Sequence, residues 1–126
     1  MSVTHTLNLN FVGPGNSRIN SSVEKTGGSE INRSQSIAAA GTNVAVPFVC
    51  PTAAIVSFYM VSDQALTIKT NSTGASILTL TLEAGVPYIW HDTDARANPF
   101  SADITTFYAT NAGADAAQLE IRALRS

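Results

Sequence analysis

Within the stretch from Ile55 to Trp90, which is rich in Val, Ile, Leu, Thr, Phe and Tyr, Leu66 and Ile68, then Leu78, Leu80 and Leu82, recur at every second position, with Thr67, Lys69, Thr79 and Thr81 among the residues between them. A helix would repeat its apolar positions every three or four residues, whereas a period of two belongs to a half-buried strand. Ser62-Asp63-Gln64, Asn71 to Ala75 and Glu83-Ala84-Gly85 divide the stretch at residues that favour turns. The pattern predicts a meander of antiparallel strands, with one face on a core and the other presenting Thr67, Lys69, Thr79 and Thr81 outward.

The same alternation runs through most of the chain. Val3, His5, Leu7, Leu9 and Phe11 mark an opening strand that ends at Gly13-Pro14-Gly15-Asn16. A second strand is predicted from Ser17 to Lys25, with Ile19, Ser21 and Val23 on one face, closed by Gly27-Gly28. Glu30 to Ile37 alternates weakly and reads as an exposed or edge strand. Val44, Val46, Phe48 and Cys50 share one face of the next, where Pro47 requires an edge or a bulge. After the meander, His91 to Pro99 is the longest irregular connection, with Phe100 pinning its end to the core. Ile104, Thr106 and Tyr108 are set against Thr105, Phe107 and Ala109 in the following strand. Leu119, Ile121 and Ala123 then line one face of the last. About nine short strands without a helix predict an all-β fold, an antiparallel β-sandwich of jelly-roll type. An Ig-like sandwich fits less well, because Cys and Trp do not occupy its core positions. The 126 residues read as a single domain, 1–126, whose polar segment 1–43 is a candidate for an extended or partner-contacting region.

Composition changes the picture in one respect. The apolar fraction of 44% is ordinary, but charged residues make up only 13%, about half the usual share. Ser, Thr and Asn fill the gap, and a surface of neutral hydroxyls and amides suits packing against other protein. A net charge of −2, with the seven basic residues scattered, gives no basis for binding a phosphate backbone, so no nucleic acid partner is expected. The N-terminus has neither a basic flank nor a long apolar run, so no membrane partner is expected and synthesis is assigned to a cytoplasm. The single Cys50 forms no intrachain disulfide, and its place beside Val44, Val46 and Phe48 predicts a buried thiol rather than a nucleophile.

The runs Val61 to Gly74 (VSDQALTIKTNSTG), Leu82 to Trp90 (LEAGVPYIW) and Phe107 to Asn111 (FYATN) resemble small tailed-bacteriophage capsid cement or decoration proteins. In these β-sandwich virion proteins an SDxxxTLKTNS-like hairpin leads to an AGxPxxW-like strand. The resemblance covers about Val44 to Asn111. It implies a non-enzymatic protein of the virion, made in the host bacterial cytoplasm, that binds the outer surface of the assembled shell as a homodimer or homotrimer. Its partner would be the major capsid protein, whose neighbouring subunits it bridges, and it carries no catalytic residue and no cofactor over to this chain.

Candidate chemistry is sparse. His91, Asp92, Asp94 and Asn98 lie close in sequence and could supply ligands to calcium, but their spacing matches no dedicated loop, and a solvated or partner-contacting loop is the plainer expectation. Tyr88 and Trp90 share a strand face. They suit a core or an oligomer interface, or in a carbohydrate-binding module a stacking platform for sugars. Lys69 is the one cation of the central hairpin and a candidate to pair with an acid on a neighbouring subunit. With Arg96 in the same loop as the two aspartates, the candidate partner-contacting set is Tyr88, Trp90, His91, Asp92, Asp94, Arg96 and Lys69. The alternatives to a capsid position are a tail or fibre protein and a carbohydrate-binding β-sandwich.

Overall fold

The structure, a computed structural model, describes residues 2–126. It is almost wholly antiparallel β, with two short 3-10 turns and ten strands, one more than the periodicity predicts. The first two, β1 (Val3–Val12) and β2 (Arg18–Gly27), form a two-stranded ribbon of their own. The other eight are β3 (Ser29–Ile37), β4 (Val44–Cys50), β5 (Ile55–Ser62), β6 (Leu66–Thr70), β7 (Thr79–Leu82), β8 (Tyr88–His91), β9 (Ile104–Thr110) and β10 (Ala117–Arg125). They make two four-stranded sheets in the orders β3-β10-β5-β8 and β4-β9-β6-β7.

The pairing is nested. β6 pairs with β7, β5 with β8, β4 with β9 and β3 with β10, so each strand meets the one that mirrors it about the β6–β7 connection. The predicted meander is therefore corrected: β6 and β7 are hydrogen-bonded neighbours, but β5 and β8 lie in the opposite sheet. Period-two alternation tells which face of a strand is buried and says nothing about which strand lies beside it. β3 and β4 are both edge strands. The β4–β9 register slips by one residue between Pro47 and Cys50, as a proline without an N–H to donate requires. Next to this slip the alternation of β9 breaks, and Ile104 faces inward together with Phe107 and Ala109 and not with Thr106 and Tyr108.

The core lies between the sheets. Phe48, Phe58, Phe100 and Phe107 form its centre, with Phe58 and Phe100 ring centroids 4.9 Å apart in an edge-to-face arrangement. Phe100 pins the end of the long loop there, as expected, and Cys50 is fully buried. Ile121 and Ala123 close the core from β10. On the outer face of the second sheet, Thr79 and Thr81 are exposed and Thr67 and Lys69 half-buried, as the alternation predicts.

Candidate functional site: the N-terminal arm and the cleft beneath it

The β1–β2 ribbon is an arm added outside the eight-stranded sandwich. Cross-strand register places Leu7 beside Val23, Leu9 beside Ser21 and Phe11 beside Ile19, so these six share one face. Asn8 with Ser22 and Asn10 with Asn20 occupy the other. The half nearest the body is seated. Beyond it the arm stands clear: no residue from Asn8 to Ser22 is buried, and Phe11 and Ile19 are 72% and 69% exposed. Leu9 and Val12 are more than half exposed as well, so four of the six large exposed apolar side chains of the described residues sit at this tip. The turn is built by Pro14 with Gly15 and Asn16 at φ 68° and 62°, a conformation that glycine and asparagine adopt at little cost.

Polar clamps fasten the base. The Nδ1 of His5 lies 2.6 Å from Ser57 Oγ on β5, and its Nε2 lies 2.7 Å from Glu30 Oε2 on β3. Lys25 donates to Asp92 Oδ1 at 2.6 Å. In a neutral imidazole with the proton on Nε2, that N–H donates to Glu30 while the Ser57 hydroxyl donates to Nδ1; in a charged ring both nitrogens donate. The His5 clamp therefore holds in either charge state. Its hydroxyl–imidazole–carboxylate order is also that of an activated serine. Ser57, however, sits on an inner strand paired with Leu124 on one side and His91 on the other, and its amide serves the ladder rather than an oxyanion hole. Leu124 points to the outer face yet is fully buried, because the arm's base lies on it. Gly27 makes that approach possible: a Cβ there would lie 2.5 Å from the Arg125 carbonyl oxygen and 2.9 Å from Leu124 Cγ.

Between the clamped arm and the sheet lies a cleft of about 500 Å³. Its floor is a row across three strands, Arg122, Tyr59 and Ile89, which are directly paired neighbours. Its roof includes Leu7 and Val23, and exposed Thr4, Thr6, Glu120 and Arg122 reach its rim.

The structure disperses the partner set read from the sequence. Trp90 is 7% exposed and donates its indole N–H to the Arg96 carbonyl at 3.1 Å. Tyr88 packs edge-on against Phe58 in the core. The stacking-platform reading of this pair is thereby corrected: the two aromatics face inward, and burial of the ring pushes the Tyr88 hydroxyl pKa up. Lys69 donates to the Thr73 carbonyl at 3.0 Å, closing its own β6–β7 loop. Asp92 holds Lys25 of the arm. His91 lines the cleft, and its Nδ1 lies 3.1 Å from Thr93 Oγ1. Arg96 donates to the Ile89 carbonyl at 2.6 Å and to both carboxylate oxygens of Asp94, and its side-chain and amide bonds to Asp94 hold that carboxyl down to about 2. Asn98 bonds Thr52 and the Phe100 amide. The oxygens proposed for calcium are thus directed at three separate partners, and the described residues hold no group of three or more metal-ligating side chains.

The sequence pattern marked the arm's strands but missed the site, because His5, Glu30 and Ser57 lie 25 and 52 residues apart and each alone reads as an ordinary strand residue. The usable signal was the mismatch of Leu9, Phe11 and Ile19 with an otherwise polar segment. Comparison of the chain with protein-family models, curated proteins and solved structures finds no match.

Proposed function

We propose that this chain is a phage virion structural protein that decorates the outer surface of an assembled shell and stabilises it by bridging major capsid subunits. The observation that carries the reading is the arm, a ribbon poor in charge that is clamped at its base to a self-contained sandwich, with its apolar tip left uncovered. A protein folding for itself alone gains nothing from exposing Phe11 and Ile19, whereas an assembly protein needs such an element. Two further observations support it. The motif-bearing runs VSDQALTIKTNSTG, LEAGVPYIW and FYATN fall on β5–β6, β7–β8 and β9. The nested pairing of β3 to β10 supports reading the sandwich as a jelly roll, an architecture used by viral capsid domains.

The mechanism is linkage. A protein that binds assembled shell and not its separated subunits shifts the equilibrium toward assembly, and many copies multiply a modest contact. Quantitative mass spectrometry of purified virions tests it. A copy number in simple ratio to the major shell protein is expected. A handful of copies would assign the chain to the tail or a fibre instead, and its absence from the particle would refute a structural role.

A further inference from the structure

We propose that the arm's tip docks in the cleft of a second copy of this chain, each copy giving its tip and receiving its partner's. The inference rests on the self-association contained in the proposed function, and it names the two surfaces that meet. One molecule carries both an uncovered apolar element, Leu9, Phe11 and Ile19 on one ribbon face, and a slot with apolar side chains on its roof and floor. The slot's roof includes Leu7 and Val23, and its floor is the row Arg122, Tyr59 and Ile89, apolar at Tyr59 and Ile89. A ring such as Phe11 placed between them meets apolar surface on both sides, and Tyr59 offers it an aromatic neighbour.

Charge does not oppose it. From Asn8 to Ser22 the only charged residue is Arg18, and the slot's rim carries one acid and one base, Glu120 and Arg122. β1 has no Lys, Glu or Pro with which edge strands are usually blunted, so nothing in it opposes approach by another copy. Size selects this arrangement over a tip-to-tip contact. The tip from Asn8 to Ser22 has fifteen residues, and thirteen of the residues lining the cleft are not buried, Phe58 and Trp90 being the exceptions. A stable interface takes about 20–30 residues a side. Tip on tip falls short, while tip into slot with the exchange returned reaches it. Returned exchange also closes the assembly at two copies around a two-fold axis, whereas a one-way insertion would build a larger ring or a filament.

The test is sedimentation equilibrium with cysteine crosslinking on the full chain. The wild type is expected to self-associate at micromolar concentration. Phe11→Asp, at a solvent-facing site where the fold is indifferent, is expected to weaken association at least about 30-fold per lost contact. Under a mild oxidant, a mixture of Phe11→Cys and Tyr59→Cys chains is expected to give a disulfide-linked pair of the two, while Phe11→Cys alone stays unlinked. Matching melting temperatures check that each variant is folded. A monomeric wild type, an association indifferent to Phe11→Asp, or linkage of Phe11→Cys to itself would each overturn the proposal. A chain that is monomeric in solution yet stoichiometric in virions would refute this exchange and leave the decoration role standing. An exchanged dimer absent from virions would do the reverse.

Discussion

His5→Ala should release the arm without unfolding the body. The substitution removes two hydrogen bonds, one to the Ser57 hydroxyl at 2.6 Å and one to the Glu30 carboxylate at 2.7 Å. A neutral bond contributes about 1 kcal/mol net and one to a charged acceptor about 1.5–3. The side chains of His5 and Glu30 are 20% and 25% exposed, so water recovers part of the loss and the expected cost is about 1–2 kcal/mol. That cost falls on an element that adds only a ribbon to the fold, and a two-stranded ribbon is marginal by itself. Amide hydrogen exchange followed by mass spectrometry should therefore show residues 3–27 exchanging about 5- to 30-fold faster. Protection in β5, β9 and β10 should not change. Lys25→Ala, which removes the separate tie to Asp92, should add a smaller increment. Unchanged exchange in the arm, or an equal loss of protection in the core strands, would refute the reasoning that the clamp acts locally.

Four other outcomes follow from the sandwich itself. Asn71 holds φ 67° and bonds the start of β9, accepting from the Thr105 amide at 2.7 Å and donating to the Asp103 carbonyl at 2.7 Å. Asn71→Gly should cost about 2 kcal/mol for the lost bonds, and Asn71→Ala about 1 kcal/mol more for forcing a β-carbon into the left-handed region, a ranking that urea denaturation reads directly. Phe58→Ala should cost about 3–5 kcal/mol in the same assay, since Phe58 touches the rings of Phe48, Phe100, Phe107 and Tyr88. The Asp94 carboxyl, ordinarily near 3.8, should titrate by NMR at about 2; because the folded value is the lower one, its tie to Arg96 is complete above 3.8, lost as pH falls through about 2, and absent in Arg96→Gln. Cys50, buried and with its pKa raised by that burial, should react with a thiol reagent only as fast as the protein opens.

The fold was legible because nearly every strand has one buried and one open face. Val44, Val46, Phe48 and Cys50 announce a strand and its inner face together, and Pro47 announces the edge position and the slip. Pairing was not legible, since β5 and β6 carry similar alternation and yet belong to opposite sheets. The aromatic pair shows the same limit at the level of a site. Tyr88 and Trp90 do share a face, but only the Trp90–Phe58 pairing and the loop from His91 to Pro99 folding over it make that face interior. His5 was invisible for a different reason: its partners come from β3 and β5, and a clamp formed across three strands leaves no local spacing to read.

The energetics of the tip bear on how such an arm can be used. Leu9, Phe11, Val12 and Ile19 are between 52% and 72% exposed, so covering all four would contribute roughly 4–7 kcal/mol. Association of two proteins costs on the order of 4–15 kcal/mol in lost freedom before any gain appears. One tip in one slot therefore yields at most a weak complex. Exchange of two tips doubles the favourable part while the loss of freedom is incurred once, and placing such pairs on a repeating surface adds contacts at still smaller entropic cost. An arm poor in charge with a small apolar end is thus suited to an assembly held by repetition. Its affinity should depend steeply on how many copies engage together and only slightly on salt, because Arg18 is the only charge between Asn8 and Ser22.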